Sequence, residues 1–259
     1  MVYGMKAVIL AGGYGTRISE ESVNKPKPMV EIGGRPILWH IMKILYHQGI
    51  KEFIICGGYK QQVIRDYFAE YFPADVTFDF SEGKKTVIHD TEKEDWKVTV
   101  VDTGLDTMTG GRLKRIGKYL DDEDFLMTYG DGVADVDVRK LIEFHKRHGK
   151  LATVTAAHPV GRFGLLDLDG DKVTHFEEKT ESIREWINGG FMILNPKVLE
   201  YIEGDDTAFE NGPLQQLSHD GELMAYRHSG FWHCMDNLRD KQTLEKLWNE
   251  GNAPWKIWE

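Results

Sequence analysis

The chain has 259 residues, within reach of one large domain, and its 41% hydrophobic and 11% aromatic residues exclude wholesale disorder. Thirty-two Lys and Arg against 42 Asp and Glu give a net charge of -10, which lacks the basic footprint of a general nucleic-acid binder, so any phosphate must be held locally. Two cysteines, Cys56 and Cys234, build no disulfide framework and no CxxC, so a reducing, cytoplasmic setting is expected.

Residues 1–4 precede a second Met and are set aside from the fold reading. Residues 6–11 form a short apolar run ending in Gly-Gly, the pattern of a strand buried on both faces and hence of a parallel sheet. That run is far shorter than a signal-peptide core or a membrane span, so neither an export signal nor a membrane partner is expected. After a polar, proline-punctuated loop, Pro36 opens a helix with Ile37, Leu38, Ile41, Ile44 and Leu45 on one stripe, stopped by Gly49. Residues 52–56 repeat the strand, and 61–71 carry Ile64, Tyr67, Phe68 and Tyr71 at helical spacing, so a right-handed βαβ crossover is expected. With Phe72 these aromatics suggest packing or a subunit contact.

From about 75 to 103 the pattern changes to short alternating runs, 76–80, 86–89 and 98–101, which predict an antiparallel insertion. Helical spacing resumes near Arg112, 125–128 is a strand ending in Tyr-Gly-Asp-Gly, and Asp137 caps a helix closed by Gly149. On that helix His145 is expected to face the core and His148 the solvent. Further strands are predicted at 151–157, 165–168, 172–176 and 190–194, a helix from Pro196 to about 204, and a strand and final helix (238–248) after Glu222. No repeat or linker interrupts the chain. A single α/β domain over 1–259 is expected, with a Rossmann-like mixed, mainly parallel sheet flanked by helices and a C-terminal elaboration over about 205–259.

The strongest local signal is Leu10-Ala11-Gly12-Gly13-Tyr14-Gly15-Thr16-Arg17, directly after the first strand. Glycines there let the backbone turn sharply and bring N–H groups against phosphate oxygens, while Thr16 and Arg17 add side-chain donors. The dinucleotide fingerprint fails because its last glycine would fall at Ile18, and Walker A fails because no Gly-Lys-Ser/Thr follows. Ten residues on, Asn24-Lys25-Pro26-Lys27-Pro28-Met29 stiffens two ammonium groups between prolines, which suits phosphate. Each motif alone also fits an ordinary turn or a solvated charged loop. Asp131, between Gly130 and Gly132 at the end of a predicted strand, stands where open parallel sheets place ligands, and its hard carboxylate suits Mg²⁺. An Asp-Gly turn explains it equally well.

In order, LAGGYGTR, KPKPM and GGRPIL resemble the N-terminal signature of the sugar-1-phosphate nucleotidyltransferases. The likeness continues through GGYK (57–60), VDTG (101–104), MTGGRLKR (108–115), TYGDGVAD (128–135), INGGF (187–191) and FWHCMDNLRDK (231–241), and covers essentially 5–259. The Met-Asp-Asn-Leu-Arg-Asp-Lys and Ala-Pro-Trp-Lys segments resemble the cytidylyl branch. The resemblance implies the nucleotide-diphospho-sugar transferase fold, CTP and glucose 1-phosphate as substrates, Mg²⁺ as cofactor and a cytoplasmic homo-oligomer, a hexamer in that branch. It also implies a place in dideoxy-sugar and cell-surface polysaccharide synthesis.

By resemblance, Lys27 contacts the reacting phosphates and Arg17 steadies the departing pyrophosphate, while residues 10–13, Gly15, Thr16, Gly130 and Asp131 hold the nucleotide. Thr107 and Arg112 fall where base and ribose are contacted. Glu178, Lys179, Asn188 and Gly189, with Gly190, fall at the hexose, and Asp236 joins Asp131 as the second metal ligand, supplied by the C-terminal elaboration. Two departures stand out: Thr180 where relatives often have Pro, and His233-Cys234 where relatives can show Gln-Pro. Neither His nor Cys suits Mg²⁺, so packing variation is expected there. The alternatives are uridylyl or thymidylyl transfer, a catalytically silent nucleotide-binding homologue, and a dinucleotide oxidoreductase, the last disfavoured by the missing third glycine.

Overall fold

A computed structural model describes residues 4–71, 76–79, 81, 85–88, 94–159, 165–169, 172–177 and 186–258. Among the described residues the main sheet has eight strands. The first strand, Lys6–Leu10, is central and pairs in parallel with Glu52–Gly57 on one side and Phe125–Tyr129 on the other. Its side chains alternate between two cores: Ala7 and Ile9 pack under the helix Ile37–His47, while Val8 and Leu10 meet Leu113, Phe125 and Met127. Burial on both faces explains the unbroken apolar run, because an alternating strand would put polar groups into one of these layers. Beyond Phe125–Tyr129 the sheet turns antiparallel through Met192–Leu194, which also pairs with Ala152–Ala157, and Leu223–Arg227 lies parallel to the latter.

The reading of 75–103 as one antiparallel insertion needs correction. Val76–Asp79 and Lys85–Ile88 do form an antiparallel hairpin, but Lys97–Asp102 joins the main sheet, parallel to Glu52–Gly57. The charged sequence before it hid the fact that the last run returns to the sheet as a half-buried edge strand. The strand predicted at 190–194 is bent, with Ile187–Asn188 pairing to Ala156–Ala157 and Met192–Leu194 to Ala152–Thr153. Between them Gly190, at φ 72°, and Phe191, at φ 42°, turn the chain. The predicted helix after Pro196 is a single 3-10 stretch, Pro196–Tyr201. His145 is buried as expected, whereas His148 is half-buried rather than solvated and shares the Thr153 hydroxyl with it, at 2.7 and 2.8 Å. No helix among the described residues is long and apolar enough to cross a membrane.

The C-terminal segment is anchored by an aromatic cage around His40, which is fully buried. Rings of Trp39, Trp248, Trp255 and Trp258 lie 4.6–6.4 Å from the imidazole centre. Its Nε2 lies 2.8 Å from the Ile32 carbonyl and its Nδ1 receives the Trp255 indole N–H at 3.4 Å. Those two contacts fit only the neutral Nε2–H tautomer. Burial pulls the imidazole down from 6.5 to about 4, over the opposing pull of the Ile32 carbonyl. Because the folded pKa is depressed, the unfolded chain takes up a proton first as pH falls below 6.5. The fold therefore loses roughly 3 kcal/mol from this group between pH 6.5 and 4. An NMR titration is expected to keep the His40 imidazole neutral down to about pH 4; a midpoint near 6.5 in the folded protein contradicts the cage.

Candidate active site

The carboxyl ends of the central strands open onto one cleft of about 490 Å³, lined from Leu10 to Gly15 and by Lys27, Thr107, Arg112, Gly130 and Asp131. These expected site residues are distant in sequence, and parallel pairing of Lys6–Leu10 with its neighbours brings their following loops to one edge. Gly130 donates its N–H to the Leu10 carbonyl at 2.9 Å, and a Cβ at Gly130 would stand 2.8 Å from that oxygen. Only glycine lets the two loops approach so closely.

Lys27 opens the short 3-10 turn Lys27–Met29, with Pro28 and Met29 buried beneath it. Its ammonium lies 2.6 Å from Asp131 Oδ2 and 2.8 Å from Asp236 Oδ1. Burial alone would pull the lysine down, but the two carboxylates outweigh it, so the pKa stands above the ordinary lysine value and the group stays charged.

The meeting of two aspartates so far apart in sequence follows from a small antiparallel ladder. Trp232–Cys234 pairs with Gly132–Ala134 so that Cys234 faces Gly132, and the Met235 N–H reaches the Asp131 carbonyl at 2.8 Å. Asp236 then sits just before the last helix, Leu238–Asn249. There Asn237 caps the helix and the Asp240 carboxylate accepts the N–H groups of Asp236 and Asn237 at 3.0 and 3.1 Å. Both aspartates are thus held by backbone, with side chains still partly open, at 29% and 23% exposure.

Two hard oxygen donors with room for waters and phosphates suit Mg²⁺, which is commonly held by one or two carboxylates. No group of three or more His, Cys, Asp or Glu able to hold a metal occurs among the described residues, so an all-protein metal cage is not what this arrangement offers. The Cys234 thiol, 3.6 Å from Asp236 Oδ2, is pushed up to about 12 by burial and the neighbouring carboxylates, and remains a weak donor.

Arg112, expected against base and ribose, lines the cleft and is also bonded to the protein around it. Its guanidinium is buried and donates to the carbonyls of Gly12, Gly57, Gly104 and Leu105 and to the Thr103 hydroxyl, at 2.7–3.2 Å. It works as a strut that ties the glycine turn to the loop after Lys97–Asp102. A Cβ on Gly12 would stand 2.1 Å from one guanidinium nitrogen. Thr107 is buried beside this strut, and Gly13 and Gly15 line the turn. Thr16 begins a 3-10 turn and is exposed, while the Arg17 side chain lies outside the described residues.

Of the residues expected at the hexose, Asn188 donates to the Tyr129 hydroxyl at 3.2 Å, and the Gly189 carbonyl accepts the Trp232 indole N–H at 2.7 Å. Glu178, Lys179 and Thr180 lie outside the described residues. Among the lining residues that sequence reasoning missed are Tyr14, Asp106, Tyr129 and Glu210. Tyr129 ends a strand pointing at the site, which could have flagged it. Glu210, which accepts the hydroxyls of Tyr129 and Thr109 at 2.6 Å, carries no motif.

Comparison with known proteins shows the family. Residues 6–233 match the family model described as nucleotidyl transferase. The chain is similar to the glucose-1-phosphate cytidylyltransferase of Salmonella typhi, with 59% identity over 258 residues, 98% of this chain and all of that protein. It is also similar to a Bacillus subtilis protein described as "Probable glucose-1-phosphate cytidylyltransferase", with 46% identity covering 98% of this chain and 100% of that one. A solved structure of UDP-glucose pyrophosphorylase complexed with UDP-glucose superposes with a TM-score of 0.68 at 15% identity, covering 95% of this chain and 99% of that one, a likeness of fold.

Proposed function

The chain belongs to the nucleotidyl transferase family, and we propose that it moves a cytidylyl group from CTP onto α-D-glucose 1-phosphate, giving CDP-glucose and pyrophosphate. The observation that carries this reading is the convergence of Lys27, Asp131 and Asp236 beside the glycine turn at the strand ends. Base and sugar rest on the 59% identity to the Salmonella typhi protein.

In an in-line displacement the sugar phosphate oxygen attacks the α-phosphorus while pyrophosphate leaves from the opposite side, and no covalent enzyme intermediate is needed. The protein's task is positioning and charge compensation. The turn from Gly12 to Gly15 offers backbone N–H groups to the triphosphate, and Lys27 brings a fixed positive charge to the reacting phosphate. By family resemblance, Arg17 would steady the departing pyrophosphate. Mg²⁺ held by Asp131 and Asp236 would neutralise charge on the triphosphate oxygens. Arg112 holds the two walls of the cleft at their spacing, and Asn188, through Tyr129, sets the edge where the hexose enters. The same reading carries a cytoplasmic homo-oligomer acting in dideoxy-sugar synthesis.

Pyrophosphate release over a matrix of CTP, UTP, dTTP, ATP and GTP against several hexose 1-phosphates tests the proposal. The highest kcat/KM is expected for CTP with glucose 1-phosphate. Equal turnover of UTP overturns the cytidylyl assignment, and no pyrophosphate from any pair leaves a silent homologue in its place.

A further inference from the structure

The rim of the cleft carries side chains that the phosphate chemistry does not use. Of the large apolar residues left exposed among those described, Tyr14 at 45%, Leu105 at 51% and Met108 at 48% all line this one cleft. Apolar surface gathered at a cavity marks a ligand-binding face, and a flat heteroaromatic ring is the part of a nucleotide that such a face accommodates. Asp106 stands between Leu105 and Met108, is itself exposed, and lines the same cleft. Its Oδ1 accepts the Tyr14 hydroxyl at 2.5 Å, so it joins the glycine-turn wall to the opposite wall, with the Tyr14 ring resting 5.3 Å from Tyr59. An ionised carboxylate offers about four acceptor sites, of which Tyr14 engages one. Arg112 is poorly placed to read a base edge, since its guanidinium is engaged by four carbonyls and a hydroxyl.

We propose that Asp106 is the specificity-determining residue for the pyrimidine, accepting the exocyclic 4-amino N–H of cytosine between the apolar faces of Tyr14, Leu105 and Met108. The 4-carbonyl of uracil or thymine would meet the carboxylate lone pair against lone pair, and a site built to bond an N–H rejects the analogue lacking it. This inference rests on the cytidylyl reading of the cleft and adds the group that enforces it.

The test measures kcat/KM for CTP and for UTP, with glucose 1-phosphate, in the wild type, Asp106→Ala, Asp106→Asn and Tyr14→Phe. The wild type is expected to favour CTP. Asp106→Ala should lose on the order of ten- to a hundredfold for CTP without a matching loss for UTP, because one charged hydrogen bond is removed for one base only. Asp106→Asn, which can turn either end of its amide to the base, should approach parity. Tyr14→Phe, which keeps the carboxylate and removes only the bridge between walls, should keep the wild-type ratio. An unchanged ratio in Asp106→Ala, or an equal collapse in Tyr14→Phe, overturns the assignment to Asp106 and leaves the cytidylyl reading standing. A wild-type enzyme that uses UTP as well as CTP removes that reading instead.

Discussion

Lys27→Ala is expected to lower kcat on the order of 10²–10³-fold while changing the affinity for CTP far less, since removing one preorganised donor at a reacting centre typically has that effect. The ammonium is held by two carboxylates above a buried Pro28-Met29 floor, so it stands beside the reaction centre before substrate arrives and would pass to the phosphate as a metal ion takes the carboxylates. Alanine removes this charge from the reacting phosphate and leaves the two carboxylates to the metal ion. Single-turnover rates beside equilibrium CTP binding separate the two effects. An unchanged kcat contradicts the role given to Lys27, and an equal loss in binding and turnover reduces it to ordinary substrate affinity. Lys27→Arg is not expected to restore the rate, because the planar fork cannot occupy the point between two carboxylates that a compact ammonium fills.

The second large effect is expected at the paired aspartates. Asp131→Asn should raise the Mg²⁺ concentration needed for half-maximal turnover by at least about tenfold, since a neutral amide replaces one of two charged oxygen donors. Asp236→Asn should act the same way, because the ladder through Cys234 and Gly132 sets both carboxylates at one point. Titration of activity with Mg²⁺ at fixed CTP reads this directly, and curves that overlay the wild type remove these residues from the metal site. The change in a single variant also shows whether the two carboxylates act on one cation, because independent sites would leave a two-phase curve.

Much of this arrangement was legible in the sequence where local chemistry is strict. A doubly buried strand needs an unbroken apolar run, and Lys6–Leu10 shows one; a backbone turn meant to pack against other loops needs glycine, and Gly12, Gly13 and Gly15 supply it. The stripe of Ile37–His47 likewise declared its helix. Pairings between distant segments were less legible. Nothing in the spacing of Lys97–Asp102 distinguishes an edge strand of the main sheet from another hairpin strand, since both read as short alternating runs.

The site divides along the same line. Asp131 could be suspected from its place after a strand, whereas its partnership with Asp236 depends on a ladder between segments about a hundred residues apart and entered only through family resemblance. Arg112 shows the opposite case. Family resemblance pointed to a ligand contact, and no spacing rule showed that the guanidinium would also bond the carbonyls of Gly12, Gly57, Gly104 and Leu105. Asp106 and Glu210 were invisible because a carboxylate in a loop has no signature until the opposite wall is known.

The most direct measurement is a crystal structure of the protein with CTP and Mg²⁺. The triphosphate is expected on the glycine turn from Gly12 to Gly15, with the Lys27 ammonium within hydrogen-bonding distance of the α-phosphate and one metal ion held by Asp131 and Asp236. A triphosphate lodged elsewhere, with Lys27 facing bulk solvent, contradicts this arrangement.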